Sequence, residues 1–138
     1  MSDEIQRAWI ALQRVGPALR ERVDARLAEA NLPNLADYSI LWTIERADEP
    51  IRPKDLGLLL FLERYQVSRQ LDRMIDAGYV EKLNCPEDAR GYLVTLTDAG
   101  RAIRRAVWRI YGPAMDEAIG KLSADEARML TDLLNRLA

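Results

Sequence analysis

The apolar residues of this chain recur at helical spacing as far as Gly78, alternate one by one between Tyr79 and Leu96, and return to helical spacing after Thr97. A period that changes from 3.6 to 2 and back confines β-structure to a single hairpin. Its strands are Tyr79–Leu83 and Gly91–Leu96, with Asn84-Cys85-Pro86-Glu87-Asp88 as a long turn between them. A lone hairpin is marginal in water, so helices must cover one of its faces. The fold class expected is mainly α with a small β-hairpin wing (α+β).

Before the hairpin, Ile5, Ala8, Trp9, Leu12, Val15, Leu19, Val23 and Leu27 form one stripe of a helix from Glu4 to about Ala30. Gly16-Pro17 is expected to bend or interrupt it. A turn at Asn31-Leu32-Pro33-Asn34 leads into a second helix, Leu35 to Ala47. Ile51-Arg52 is extended, and Pro53 suits the first turn of a helix to about Leu60 with Leu56, Leu59 and Leu60 inward. Glu63 to Ala77 follows, with Val67, Leu71, Met74 and Ile75 inward and Gly78 as its stop. After the hairpin, Thr97 caps a helix to about Ile110, which Gly112-Pro113 is expected to break before Ala114–Ile119. Ser123-Ala124-Asp125-Glu126 is a capping box that opens a last helix carrying Met129, Leu130, Leu133, Leu134 and Leu137 on one side.

With 138 residues the chain suits one domain, and 49% apolar with 30% charged residues suits a folded core. No apolar run approaches the roughly 20 residues of a membrane span, and Met-Ser-Asp-Glu-Ile lacks the build of a signal peptide, so a cytoplasmic protein without membrane contact is expected. Histidine is absent, which removes histidine triads and histidine metal sites, and the single cysteine, Cys85, removes thiolate clusters. Ser68 has no base partner and Glu87-Asp88 is a solvated turn, so neither an enzyme nor a cofactor is expected. Net charge is −2. By itself that argues against a strongly basic nucleic-acid binder, so local distribution has to decide.

Two short helices, a tight turn and a hairpin make a winged helix-turn-helix, in which the second helix enters a major groove. Three segments carry a more specific likeness: Val67-Ser68-Arg69-Gln70-Leu71-Asp72-Arg73-Met74 with Gly78-Tyr79-Val80; Pro86-Glu87-Asp88-Ala89-Arg90-Gly91; and Val94-Thr95-Leu96-Thr97-Asp98-Ala99-Gly100-Arg101. Over Leu56 to Arg101 the chain resembles the multiple-antibiotic-resistance regulator (MarR) family of bacterial transcription factors. The resemblance implies one domain over residues 1–138, with dimerisation helices in 1–34 and 98–138 and a DNA-binding head in 35–97. It implies a homodimer on double-stranded DNA at a pseudo-palindromic operator, with recognition helices in successive major grooves and wings in flanking minor grooves. Repression is the family default. The N- and C-terminal helices are also more apolar than a small head would bury, which calls for a partner surface.

Candidate contacts follow from side-chain chemistry. Arg64 and Arg69 can grip guanine bidentately or clamp phosphate, Gln66 can read adenine, and Ser68 and Tyr65 can donate to phosphate. Arg73 either joins them or bridges Asp72 or Asp76 locally. Lys54 and Arg52 are candidate phosphate contacts. The resemblance places Arg90, at the wing tip, in the minor groove, with Asp88 bracing the tip. Phe61 and Glu63 stand where the family has a glycine-like turn residue and a small cap, so an altered turn or a later helix start is expected. Ala89 replaces the first of two wing arginines. Residues 51–92 carry seven basic and seven acidic side chains, so weak non-specific binding is expected.

The resemblance also implies a small, often aromatic and anionic effector between the dimerisation helices and the head. Trp9, Tyr38, Trp42, Trp108 and Tyr111, with Arg14, Arg20 or Arg105 for a carboxylate, are candidates, although aromatics at helical spacing usually pack in cores. A Cys85 exposed near the wing tip would disturb DNA contact on oxidation, but the peroxide sensors of the resembled family use a cysteine near the N-terminus, which this sequence lacks, so a redox role is not the expectation. The competing reading is a winged-helix protein-interaction module that has lost DNA binding.

Overall fold

Ser2 accepts a hydrogen bond from the Ile5 N–H and starts α1, Asp3–Glu29. The computed structural model describes residues 1–88 and 90–138; the substitution at Ala89 lies outside the described residues. Asn34, whose side chain accepts from the Asp37 N–H, opens α2, Leu35–Arg46. Then come α3, Pro53–Leu60, with proline in its first turn, and α4, Arg64–Asp76. Gly78 at φ +84° ends α4 and turns the chain into β1, Val80–Asn84, which pairs antiparallel with β2, Tyr92–Leu96. Leu83 lies opposite Leu93, and Val80 opposite Leu96. Ile51 adds a third short edge, exchanging both backbone bonds with Val94 at 3.1 and 2.9 Å. Thr97 caps α5, Asp98–Ile119, and Ser123 and Glu126 form a reciprocal box that opens α6, Ala124–Leu137.

Neither glycine-proline step breaks its helix: α1 and α5 run unbroken through Pro17 and Pro113. Proline frees the carbonyl four residues back, here those of Gln13 and Arg109, and both residues are exposed. Water satisfies a solvated carbonyl, so the local break signal loses its force. Leu56 and Leu60 turn inward as expected, but Leu59 is exposed: α3 is eight residues long and packs along the Leu56–Leu60 line alone.

Two cores result. One binds the head together through Ile40, Leu41 and Ile44 of α2, Leu56 of α3, Val67, Leu71 and Met74 of α4, and Val80, Val94 and Leu96 of the hairpin. The other joins Val23 and Leu27 of α1, Tyr38 of α2, and Val107 and Ala114 of α5. The α2 helix belongs to both. Gly100 marks where α5 presses on the hairpin, because a Cβ there would run into the Tyr79 carbonyl. Gly100→Ala should cost about 3 kcal/mol by forcing that backbone apart, readable as a lower urea midpoint.

The turn between α3 and α4 keeps its geometry with a phenylalanine in the glycine position. Phe61 sits at φ 55°, ψ 42°, and the Leu62 N–H closes onto the Gly57 carbonyl at 3.0 Å while Leu62 packs on the core. That closure demands a left-handed residue. Nothing is altered or delayed: α4 begins at Arg64, with Glu63 as its cap. The Phe61 side chain is 93% exposed and gains nothing from packing. Phe61→Gly should therefore raise stability by about 1 kcal/mol, the left-handed penalty less glycine's entropy cost, in chemical denaturation.

Candidate nucleic-acid interface

The inner face of α4 is fixed by Val67, Leu71 and Met74, which leaves its other faces to solvent. Arg64 and Ser68, one turn apart, face the hairpin across a cleft of about 500 Å³. Lys54 and Leu58 of α3 line it from one side, and Asp88, Arg90 and Tyr92 from the other. Tyr65 and Arg69 form the next stripe around α4, exposed and free of protein ion pairs among the described residues. Arg64, Ser68, Lys54, Asp88 and Arg90 are thus gathered into one concave surface, with Tyr65 and Arg69 beside it.

The wing tip is ordered by Asp88. Its Oδ1 accepts the Arg90 N–H at 2.9 Å and its carbonyl accepts the Gly91 N–H at 3.1 Å, which leaves the Arg90 guanidinium exposed. Burial, and then the nearby Asp72 carboxylate, push the Tyr92 phenol above its usual range, so it meets a ligand as a neutral hydroxyl.

Three expectations change. Arg73 bridges neither Asp72 nor Asp76; its Nη2 reaches Asp37 on α2 at 2.9 Å. Gln66 spends its amide oxygen on the Glu63 N–H, at 2.9 Å, at the start of α4, so a two-pronged grip on adenine would require breaking that bond. Cys85 is buried, not exposed, beneath Arg52, whose Nη2 lies 3.6 Å from the sulfur and 3.2 Å from Glu87. Arg52 thereby ties the start of α3 to the wing base.

The zero balance of residues 51–92 conceals a separation of charge. Lys54, Arg64 and Arg90 line the cleft against Asp88; Arg52 lines it too but is paired with Glu87 at 3.2 Å and also borders the neighbouring groove that Asp55 and Glu87 face, and Glu63 sits at the start of α4. Adjacent like charges within a low-dielectric concavity raise the local potential for a polyanion even when the sum is zero.

Of the effector candidates, Tyr38, Trp108 and Tyr111 cluster with ring centres 5.3 to 6.4 Å apart. Tyr38 is buried in the second core. Trp42 is half-exposed beneath Arg46, 4.7 Å from its ring centre, and Trp9 lies apart with Met1 and Ile5. Sequence reasoning missed Asp37, which looks like an ordinary first-turn acid, and it assigned Leu58, which lines the cleft, to neither core nor site.

Comparison with known proteins gives the same picture. The sequence profile described as MarR family matches residues 32–91. The multiple antibiotic resistance protein MarR of Escherichia coli is 33% identical over 132 residues, 93% of this chain and 91% of that protein. A mutant of that MarR complexed with operator DNA superposes with a TM-score of 0.86 at 29% identity, covering 98% of this chain and 96% of the other. AbsC of Streptomyces coelicolor shares the fold, at TM-score 0.89, 24% identity and coverage of 99% and 93%. With identity of this extent over nearly the whole length, the chain belongs to the MarR family, whose members are transcriptional regulators and not enzymes.

Proposed function

We propose that the protein is a dimeric, sequence-specific regulator of double-stranded DNA that acts in the cytoplasm as a repressor. The observation that carries this reading is the cation-lined cleft between α4 and the wing, where Lys54, Arg64 and Arg90 face one acid, Asp88, and Arg52 is paired with Glu87. Arg64 and Arg69 contact guanine or phosphate in the major groove, Tyr65, Ser68 and Lys54 hold the backbone, and Arg90 enters the minor groove on a tip braced by Asp88. The MarR of Escherichia coli with operator DNA supports it from outside the chain.

Dimerisation through residues 1–34 and 98–138 is supported by apolar side chains left uncovered on α1 and α6, among them Ile5, Trp9, Leu130 and Leu133. Release by a small aromatic anion rests on half-exposed Trp42 and Trp108, close to the junction of α2 and α5. Among the described residues, no helix is long and apolar enough to cross a membrane.

Selection of bound fragments from the fragmented host genome tests the reading at near-physiological salt. A pseudo-palindromic motif with half-sites about one helical turn apart is expected. A folded dimer that enriches no motif would point instead to a winged-helix interaction module.

A further inference from the structure

Asp37 is the one charged residue buried among the described residues, at 8% exposure. Burying a carboxylate is unfavourable unless it is paired and hydrogen-bonded. Its Oδ1 is the meeting point of two groups from α4: Arg73 Nη2 at 2.9 Å and Gln70 Nε2 at 3.3 Å. The residue lies in the first turn of α2, whose other attachments point away from the head. The Leu35 N–H donates to Asp24 of α1 at 2.9 Å, and Tyr38 packs in the second core against α5.

We infer that Asp37 is a positioning residue for DNA recognition, fixing the rotation of α4 through Arg73 and Gln70, and that Arg73 acts through this carboxylate and not through phosphate. The inference rests on the DNA-binding reading above. Val67, Leu71 and Met74 hold α4 by apolar contact, which is non-directional and tolerates a small roll about the helix axis. A roll of about 10° moves side-chain ends by roughly 1 Å at the helix's outer radius. That displacement is enough to spoil a hydrogen bond of Arg64, Ser68 or Arg69 to a base or phosphate. An ion pair with two donors on successive turns of α4 is directional and resists the roll. It also refers the angle of α4 to α1 and α5, because the turn that carries Asp37 is fastened to both.

The test is a double-mutant cycle on the full-length dimer with Asp37→Asn and Arg73→Gln, using the tightest duplex recovered from the fragmented genome. Asparagine keeps the shape and an acceptor, and Arg73 is 59% exposed, so both variants should fold. Thermal midpoint and sedimentation confirm that they do. Each single change should weaken specific binding by about tenfold, the double change should be no worse than either, and non-specific binding should hardly alter. The dependence of log affinity on log salt should keep its wild-type slope in all three. Amides of α4 should exchange faster in the DNA-free variants, a readout that does not depend on any duplex.

Additive losses with a shallower salt slope for Arg73→Gln would make Arg73 a phosphate ligand and overturn the inference. So would wild-type binding by Asp37→Asn. If the wild type itself retains no specific duplex, the DNA-binding reading falls and the positioning role with it, an outcome distinct from the other two.

Discussion

Arg90→Ala should leave a folded dimer that has lost most of its preference for the operator. The backbone of the tip is held by Asp88 through the Arg90 N–H, not through the guanidinium, so alanine removes the contact without disordering the turn. A guanidinium in a narrow minor groove is worth about 1–3 kcal/mol, and a dimer carries two, so affinity should fall about 30-fold or more at fixed salt. The slope of log affinity against log salt should drop by about two per dimer if the guanidinium also neutralises phosphate. Titration of a labelled operator duplex at several salt concentrations measures both. Unchanged affinity would remove the wing from recognition and leave α4 to read the site alone. Asp88→Ala should imitate the loss in weaker form, because it frees the tip without removing the charge.

The parts of this fold that were legible in the sequence are those whose causes are local. Thr97, Ser123 and Gly78 mark element ends because each satisfies a backbone group within a few residues, and the period change locates the hairpin because strand geometry alone produces it. Where reading failed, the deciding partner was remote or solvent. Arg73 finds Asp37, 36 residues away, in preference to the carboxylates beside it. Cys85 is buried because Arg52, 33 residues earlier, folds over it. Pro17 and Pro113 do not break their helices, and the residues four positions back, Gln13 and Arg109, are exposed. Charge was the least legible quantity: a sum along residues 51–92 carries no direction, and the fold gathers Lys54, Arg64 and Arg90 into one cleft.

Phe61 shows the reverse case, a local rule overridden by a longer contact. The left-handed position is required by the closure of Leu62 onto Gly57 and by the burial of Leu62, and the chain meets that requirement with a poorly suited residue. The cost is small beside the core contact it permits, which is why the turn survives the substitution.

The larger effect on the whole molecule should come from α6. This 14-residue helix contains no buried residue, yet Met129, Leu130, Leu133, Leu134 and Leu137 recur at helical spacing along it, and Ile5, Trp9 and Leu12 do the same at the start of α1. Isolated helices of this length are marginal in water, so α6 depends on a surface that covers its stripe. If that surface is a second copy of the chain, Leu133→Glu places two unpaired carboxylates in an apolar interface, at several kcal/mol each. The expected result is a monomer by sedimentation at micromolar concentration, with loss of helical signal matching α6. The head should keep its fold, because its core draws on α2, α3, α4 and the hairpin and on nothing from α6. Operator binding should fall further than for Arg90→Ala, since two half-sites would no longer be held at a fixed spacing by one molecule. A Leu133→Glu protein that stays dimeric and binds operator normally would place the partner surface elsewhere and leave the apolar stripe of α6 without a role in assembly.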